Sequence, residues 1–167
     1  AKLQAAGIKA TDQPSLLIDD FSHGWQDWYL LSADNPHHWQ YWTRKICDPK
    51  WRGTTGNKLA LEVQSDQPNE LVVMLTENFF RSYRGRQQEY LALVPLKGGE
   101  DWQSVKLSPS DFLTPDKQQP LTSWEQLDLL GLRAFSQQRG SDKIFGSNRW
   151  KGPQPRFQNM RWEGDND

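Results

Sequence analysis

The sequence lacks several features that would assign a chain to a class at once. Cys47 is its only cysteine, so no disulfide can form within the chain. No apolar run approaches the ~20 residues of a transmembrane helix, and we therefore expect no membrane insertion. No hydrophobic stretch typical of a signal peptide follows the start Ala1-Lys2-Leu3-Gln4. We expect the chain to be a mature product or a module of a longer protein.

An excess of charge of one sign is also missing. The 167 residues include 20 Lys and Arg against 21 Asp and Glu. Nucleic acids and anionic membranes bind proteins that carry a surplus of basic side chains. The composition therefore argues against nucleic acid as a partner.

Aromatic side chains, in contrast, are abundant, with nine Trp, seven Phe and four Tyr. The mean hydropathy of −0.87 would suit a disordered chain, but so many rings predict a folded domain with an apolar core. Because nine indoles would crowd the core of a single domain, we expect some rings to be exposed.

The spacing of apolar residues predicts short strands. In the segment 58–64, Leu59, Leu61 and Val63 alternate with the residues between them, which is the period of a half-buried strand. Nine strands are predicted, at 16–21, 25–31, 39–46, 58–64, 71–76, 88–96, 102–107, 130–135 and 157–162. Helical turns are expected at 108–111 and 123–126. The fold class is therefore all-β, with two antiparallel sheets packed as a sandwich.

The chain is long enough for one domain. We predict an N-terminal tether at 1–15, the β-sandwich domain at 16–163 and a C-terminal tail or linker at 164–167. Two segments, 78–85 and 137–156, are predicted as loops. A loop of about twenty residues is uncommon in a compact domain and is usually functional or mobile.

Three segments resemble those of a known family. The opening DDFSHGW at 19–25 is similar to the entry segment of jelly-roll carbohydrate-binding modules. The phrase WQSVKLSPSDF at 102–112 resembles a characteristic stretch of the same modules and of complex I intermediate-associated protein 30 domains. A third similar segment, WEQLDLLGL, follows at 124–132. The resemblance covers about residues 16–163.

The resemblance implies a galactose-binding-like jelly roll that binds an oligo- or polysaccharide without cleaving it. It further implies attachment to a catalytic domain in a secreted bacterial protein, extracellular or periplasmic. Many such modules hold a structural calcium, for which Asp19 and Asp20 are the candidate ligands here. The aspartate pair common in the last strand of the family is replaced by Met160-Arg161-Trp162-Glu163.

Sugar recognition also directs attention to particular side chains. Rings stack on the C–H faces of sugars, while Arg and Asn bond to pairs of hydroxyl groups. Trp39 and Trp42 have opposite parity along one strand, so one should face the core and the other the outside. Trp51 and Trp150 are expected to be exposed in turns or loops, whereas Trp102 and Trp124 are expected to be structural. The candidate ligand-binding residues are Trp51, Arg81, Tyr83, Arg84, Asn78, Trp42 and Trp150.

Two other functions stay open. A protein-interaction or scaffold domain can use the same sandwich and would show a large exposed apolar patch. A glycoside hydrolase or polysaccharide lyase would need converging acids, and Glu62, Glu77 and Glu89 could meet across neighbouring strands. No catalytic motif supports the enzyme, because the sequence has neither a nucleophile elbow, a phosphate-binding loop nor paired histidines at zinc spacing.

Overall fold

The computed structural model describes residues 15–31, 36–80, 86–116, 118–134, 136–137, 144–145 and 150–164. Its strands are β1 Leu16–Asp19, β2 Tyr29–Leu31, β3 Gln40–Thr43, β4 Lys58–Gln64, β5 Asn69–Glu77, β6 Gln88–Leu96, β7 Gln103–Leu107, β8 Leu127–Arg133, β9 Ser136–Gln137, β10 Ile144–Phe145 and β11 Arg156–Glu163. In this part of the chain no helix is long and apolar enough to cross a membrane.

Two larger sheets contain nine of these strands. A four-stranded sheet has the order β1-β11-β4-β7 and a five-stranded sheet the order β2-β3-β8-β5-β6. All strand pairs in both sheets are antiparallel. The first strand, β1, pairs with the last strand, β11. Each of the nine predicted strands has a counterpart, so the prediction of an all-β, two-sheet antiparallel sandwich is confirmed.

The core lies between the inward faces of the two sheets. Leu59, Leu61 and Val63 of β4 are buried as predicted, and they face Val73 and Leu132 of the other sheet within one apolar cluster. Full burial of such a side chain stabilises the fold by about 1.5–3 kcal/mol. Because side chains alternate along a strand, the residues between them form a second, outward face on each sheet.

Two predictions about the connections are wrong. The segment 137–156 was expected to be a loop throughout, but β9 and β10 pair with each other through Ile144–Gln137 and Phe145–Ser136. The helical turn expected at 123–126 is a non-helical turn. At 108–111 a 3-10 turn does form, because the carboxylate of Asp111 accepts a hydrogen bond from the Ser108 N–H at 2.8 Å.

Candidate functional site

The outward face of the five-stranded sheet carries a row of apolar side chains. Strand pairing places Tyr29 beside Trp42, Trp42 beside Gly131, Gly131 beside Met74 and Met74 beside Leu91. Directly paired residues share a face of the sheet. Met74 and Leu91 belong to a second apolar cluster that is separate from the main core, and Trp42 packs against it.

Four rings form a continuous aromatic strip on and beside this face: Tyr29, Trp42, Phe79 and Phe80. Tyr29 and Trp42 are stacked with centroids 4.3 Å apart, Trp42 lies 6.1 Å from Phe79, and Phe79 lies 4.8 Å from Phe80. Tyr29 is 44% exposed, Phe79 38% and Phe80 40%. The aromatic strip therefore presents ring surface to solvent.

Two residues below the surface position the strip. Gly131 has no side chain, and a Cβ there would lie 2.7 Å from the terminal methyl carbon of Met74. The glycine thus leaves room for Met74 beside Trp42. Asp128 is fully buried, and its two carboxylate oxygens accept hydrogen bonds from the N–H of Phe79 at 2.9 Å and of Phe80 at 3.0 Å. These bonds fix the backbone that carries both phenylalanines.

A groove of about 740 Å³ adjoins the strip at Tyr29 and Phe80. Ligand sites commonly have volumes of about 300–1,000 Å³. Its walls are Asp27, Trp28, Tyr29, Thr43, Arg44, Lys45, Cys47, Asp48, Trp51 and Phe80. The strip and the groove together form one candidate site, which combines rings with charged and hydroxyl groups.

The charged groups of the groove differ in their freedom. Arg44 and Asp27 are exposed. Lys45 is fixed, because its Nζ donates a hydrogen bond to the Ile18 carbonyl at 2.6 Å and lies 4.3 Å from the centroid of the Trp51 ring. The Lys50 ammonium lies 5.4 Å from the same ring. Arg44 and Asp27 are therefore the groove charges best able to reorient toward a ligand.

An ion pair lies on the same face of the sheet. Arg133 Nη1 is 3.6 Å from Glu89 Oε2. Burial lowers the pKa of the Arg133 guanidinium, and the charge of Glu89 opposes that effect. Since the strands place both residues on the outward face, they add a planar guanidinium and a carboxylate to the surroundings of the aromatic strip.

The structure brings some of the predicted site residues together. Trp42 is half-buried in the strip and Trp51 half-buried in the groove, so Trp51 is less exposed than expected. Asn78 directly precedes Phe79, and its Nδ2 donates a hydrogen bond to the Arg86 carbonyl at 3.3 Å. Arg81, Tyr83 and Arg84 lie outside the described residues.

Four predictions about indole side chains can be compared with their burial. Trp39 is buried and Trp42 faces outward, which confirms their predicted opposite orientations. Trp124 is 2% exposed, as expected for a structural residue. The expected exposure of Trp150 is wrong, because its ring is 2% exposed and packs 5.0 Å from that of Trp39. Its Nε1–H is satisfied internally by the Pro153 carbonyl at 2.9 Å. Trp102 is 39% exposed, more than a framework role predicts.

Tyr29, Phe79 and Phe80 were not among the predicted site residues. The pair Phe79-Phe80 was a visible signal, since two consecutive rings cannot both point into the same side of a strand. Tyr29 gave no comparable signal, because its significance depends on the ring of Trp42 across the strand pair.

The carboxylates of Asp19 and Asp20, the candidate calcium ligands, both accept hydrogen bonds within the protein. Asp19 accepts hydrogen bonds from the Phe21 N–H and the Trp28 Nε1–H, both at 2.7 Å, so each of its oxygens already faces a donor. Asp20 accepts from the Ser22 N–H and hydroxyl, and these bonds lower its pKa. No group of three or more His, Cys, Asp or Glu within the described ranges could hold a metal ion. Calcium here stays an untested prediction.

The three acids considered for catalysis do not converge. Glu62 is on β4 of the four-stranded sheet, where Arg161 pairs with it at 2.8 Å. Glu77 pairs with Gln88 and Glu89 with Thr76, so Glu77 and Glu89 point to opposite faces of the other sheet. The expectation that they could meet across neighbouring strands is wrong.

Comparison with known proteins identifies the fold. No protein-family model and no curated protein sequence matches the chain. The fold is similar to that of the family 11 carbohydrate-binding module of the cellulosomal cellulase Lic26A-Cel5E of Clostridium thermocellum, with 14% identity, a TM-score of 0.55, and 90% of this chain and 94% of that chain covered. The chain therefore has a jelly-roll fold.

A second solved structure supports the same assignment of the fold. It is a family 11 carbohydrate-binding module from Clostridium thermocellum in complex with a β-1,3-1,4-mixed-linked tetrasaccharide. The identity is 12% and the TM-score 0.57, and the alignment covers 91% of this chain and 97% of that chain. The predicted jelly-roll sandwich is thereby confirmed. At sequence identities this low, the similarity is evidence about the fold alone.

Proposed function

We propose that the protein is a non-catalytic carbohydrate-binding module that holds a polysaccharide against the aromatic strip and in the adjoining groove. The observation that carries the proposal is the stack of Tyr29 on Trp42, continued by two exposed phenylalanines. Exposed rings offer flat apolar surfaces to the C–H faces of sugars. Arg44 and Asp27 in the groove offer hydrogen-bonding groups for the hydroxyls.

The similar folds support this reading at the level of architecture. Both matched structures are carbohydrate-binding modules, and one of them is a tetrasaccharide complex. Because one of them belongs to a cellulosomal cellulase, we further propose that this domain is attached to a glycan-active enzyme in an extracellular or periplasmic bacterial protein. The dispersed positions of Glu62, Glu77 and Glu89 favour binding over cleavage.

A protein-interaction domain is the second candidate. Leu93 is 40% exposed on the same face as the aromatic strip, and the two together form an apolar surface. Such a surface also suits a protein partner. The charges that border the strip favour a hydroxylated ligand, because a predominantly apolar interface would leave Arg44 and Asp27 to be desolvated without partners.

Affinity gel electrophoresis tests the proposal directly. The wild type is run in gels that contain mixed-linked β-1,3-1,4-glucan or one of a panel of other soluble neutral and acidic polysaccharides. We expect retardation by at least one polysaccharide. In each of the single variants Trp42→Ala and Tyr29→Ala we expect an affinity at least tenfold lower, since one ring of the stack is lost. Tenfold corresponds to about 1.4 kcal/mol.

The matched control is Leu17→Ala, which removes an exposed apolar side chain from β1 in the other sheet. We expect this variant to migrate like the wild type. The proposal is overturned if no polysaccharide retards the wild type, or if the two strip variants are retarded as strongly as the control. Release of reducing ends or unsaturated products would overturn its non-catalytic part.

A further inference from the structure

Trp102 is the most exposed of the nine tryptophans. All nine lie within the described residues, and Trp102 alone among them is exposed, at 39%. Five of the others are buried and three are half-buried. A tryptophan with a purely structural role would be expected in the core. The exposed position of the Trp102 ring therefore calls for a different explanation.

The ring borders a depression of about 400 Å³. Ser65, Lys97, Asp101 and Gln103 supply polar groups to its walls. Gln103 fixes one wall, because its Oε1 accepts a hydrogen bond from the Lys97 N–H at 3.0 Å and its Nε2 donates one to the Pro95 carbonyl at 2.9 Å. Lys97 and Asp101 are exposed and carry opposite charges.

A guanidinium is held beside the same ring. The Arg156 guanidinium carbon lies 5.5 Å from the ring centroid of Trp102. Its Nε donates a hydrogen bond to Gln64 Oε1 at 3.0 Å, and Gln64 Nε2 in turn donates to Asp66 Oδ1 at 2.9 Å and to the Gly99 carbonyl at 2.7 Å. Within the described part of the chain only Nε of Arg156 is hydrogen-bonded, so its two terminal nitrogens can bond to a ligand. The network orients the guanidinium before any ligand arrives.

This region is remote from the aromatic strip and its groove. Trp162 Nε1 donates a hydrogen bond to the carbonyl of Trp51, a groove residue, and Trp162 pairs with Leu59 near the start of β4. Gln103, next to Trp102, pairs with Val63 near the end of β4. The four residue-to-residue steps from Leu59 to Val63 span roughly 13 Å. Ligands at the two places would not compete for space.

We propose that Trp102, Arg156 and the adjoining depression form a second saccharide site that is independent of the aromatic strip. It combines an exposed ring, a preoriented guanidinium and exposed groups of both charges, as the recognition of a hydroxylated ligand requires. The choice of ligand class rests on the proposed function. Two sites on one domain make binding to a polymer bivalent, and the avidity of bivalent binding exceeds the affinity of either site.

Nuclear magnetic resonance can separate the two sites. ¹H–¹⁵N spectra are recorded during titration with the mixed-linked tetrasaccharide. Further titrations use short oligosaccharides with the same sugar units as the polysaccharides tested in the gels. We expect at least one probe to shift the Trp102 indole N–H saturably in the wild type and equally in Trp42→Ala. In Trp102→Ala the ligand-induced changes in the backbone chemical shifts of Gly98 and Gln103 should disappear. The ligand-induced changes at Tyr29 and Trp42 should persist.

A comparison of polymer with oligomer tests the consequence. Trp102→Ala should bind the soluble polysaccharide about tenfold more weakly, because avidity is lost, and should bind the oligosaccharide at the aromatic strip with unchanged affinity. Trp102→Tyr keeps a ring and should retain most of the polymer affinity. Equal melting temperatures of the variants would show that they are folded.

The outcomes distinguish this proposal from the proposed function. If the Trp102 signal does not move with any probe, or moves only when Trp42 is intact, the second site is overturned. If Tyr29 and Trp42 do not move but Trp102 does, the aromatic strip is overturned and the second site is supported. A polymer affinity of Trp102→Ala equal to that of the wild type would contradict bivalency.

Discussion

The rings of Tyr29 and Trp42 are stacked across the β2–β3 pair, with centroids 4.3 Å and planes 25° apart. β2 is an edge strand of only three residues. A cross-strand aromatic pair contributes stability beyond that of the backbone ladder, so the stack holds the short edge strand in place. The same contact aligns two rings on one surface. The stability of the sheet edge and the shape of the candidate site therefore depend on one pair of residues.

Asp128→Asn should weaken both the fold and ligand binding. The amide retains one acceptor oxygen but presents its NH₂ group to the N–H of Phe79 or Phe80. Loss of a hydrogen bond to a buried carboxylate costs about 1–3 kcal/mol, which urea unfolding would measure as a lower free energy of unfolding. In polysaccharide gels we expect several-fold lower affinity, because the backbone that carries the rings of Phe79 and Phe80 is held less rigidly.

The control for Asp128→Asn is Asp111→Asn. Asp111 also accepts a backbone hydrogen bond, from Ser108, but it is exposed. We expect a smaller loss of stability and normal retardation. Equal behaviour of the two variants would contradict the positioning role of Asp128.

Stability should decrease above about pH 10, in part through Tyr41. Burial raises the pKa of the Tyr41 hydroxyl, although its hydrogen bond to Gln154 opposes the shift. In the unfolded chain a tyrosine has a pKa of about 10. The folded state therefore keeps this proton to higher pH, so its contribution is complete below about pH 10 and is lost as the pH rises through the folded value.

Unfolding in urea at pH 8, 10 and 11 checks this dependence. Tyr41→Phe cannot ionise at this position, so its free energy of unfolding should decrease less between pH 10 and 11 than that of the wild type. Tyr29→Phe, which changes a surface ring, should follow the wild type. A Tyr41→Phe profile parallel to that of the wild type would show that Tyr41 does not contribute.

Calcium should have no effect on thermal stability. Both carboxylate oxygens of Asp19 accept hydrogen bonds within the protein, and calcium needs six to eight oxygen ligands. We therefore expect the same melting temperature in excess calcium and in excess chelator. A melting temperature that rises with calcium in the wild type but not in Asp19→Asn would contradict this expectation and restore the calcium site implied by the family resemblance.

The positions of the strands could be predicted from the sequence because local periodicity determines them. Leu59, Leu61 and Val63 alternate with their neighbours, and all three are buried on one face of β4. Tyr90, Ala92 and Val94 of β6 likewise face the main core, while Leu91 belongs to the separate outer cluster. Such patterns need no knowledge of distant residues.

The candidate site was harder to predict, since exposure depends on contacts between segments that are distant in sequence. Trp150 follows a Gly-rich segment typical of an exposed loop, yet its ring packs on that of Trp39 and its N–H on the Pro153 carbonyl. Trp102 is in a phrase that suggests a framework role, yet its ring is exposed beside Arg156. Neither outcome is encoded in the residues next to it in the chain.

The sequence alone determined an all-β chain with alternating strands, more rings than one core could bury, and no excess of charge. These are local or additive properties, and each is read from spacing or counts. The tertiary structure alone decided which rings are covered, because that depends on strand order and register. Pairing of β2 with β3 places Tyr29 on Trp42, and pairing of β4 with β7 and β11 brings Trp102 close to Arg156.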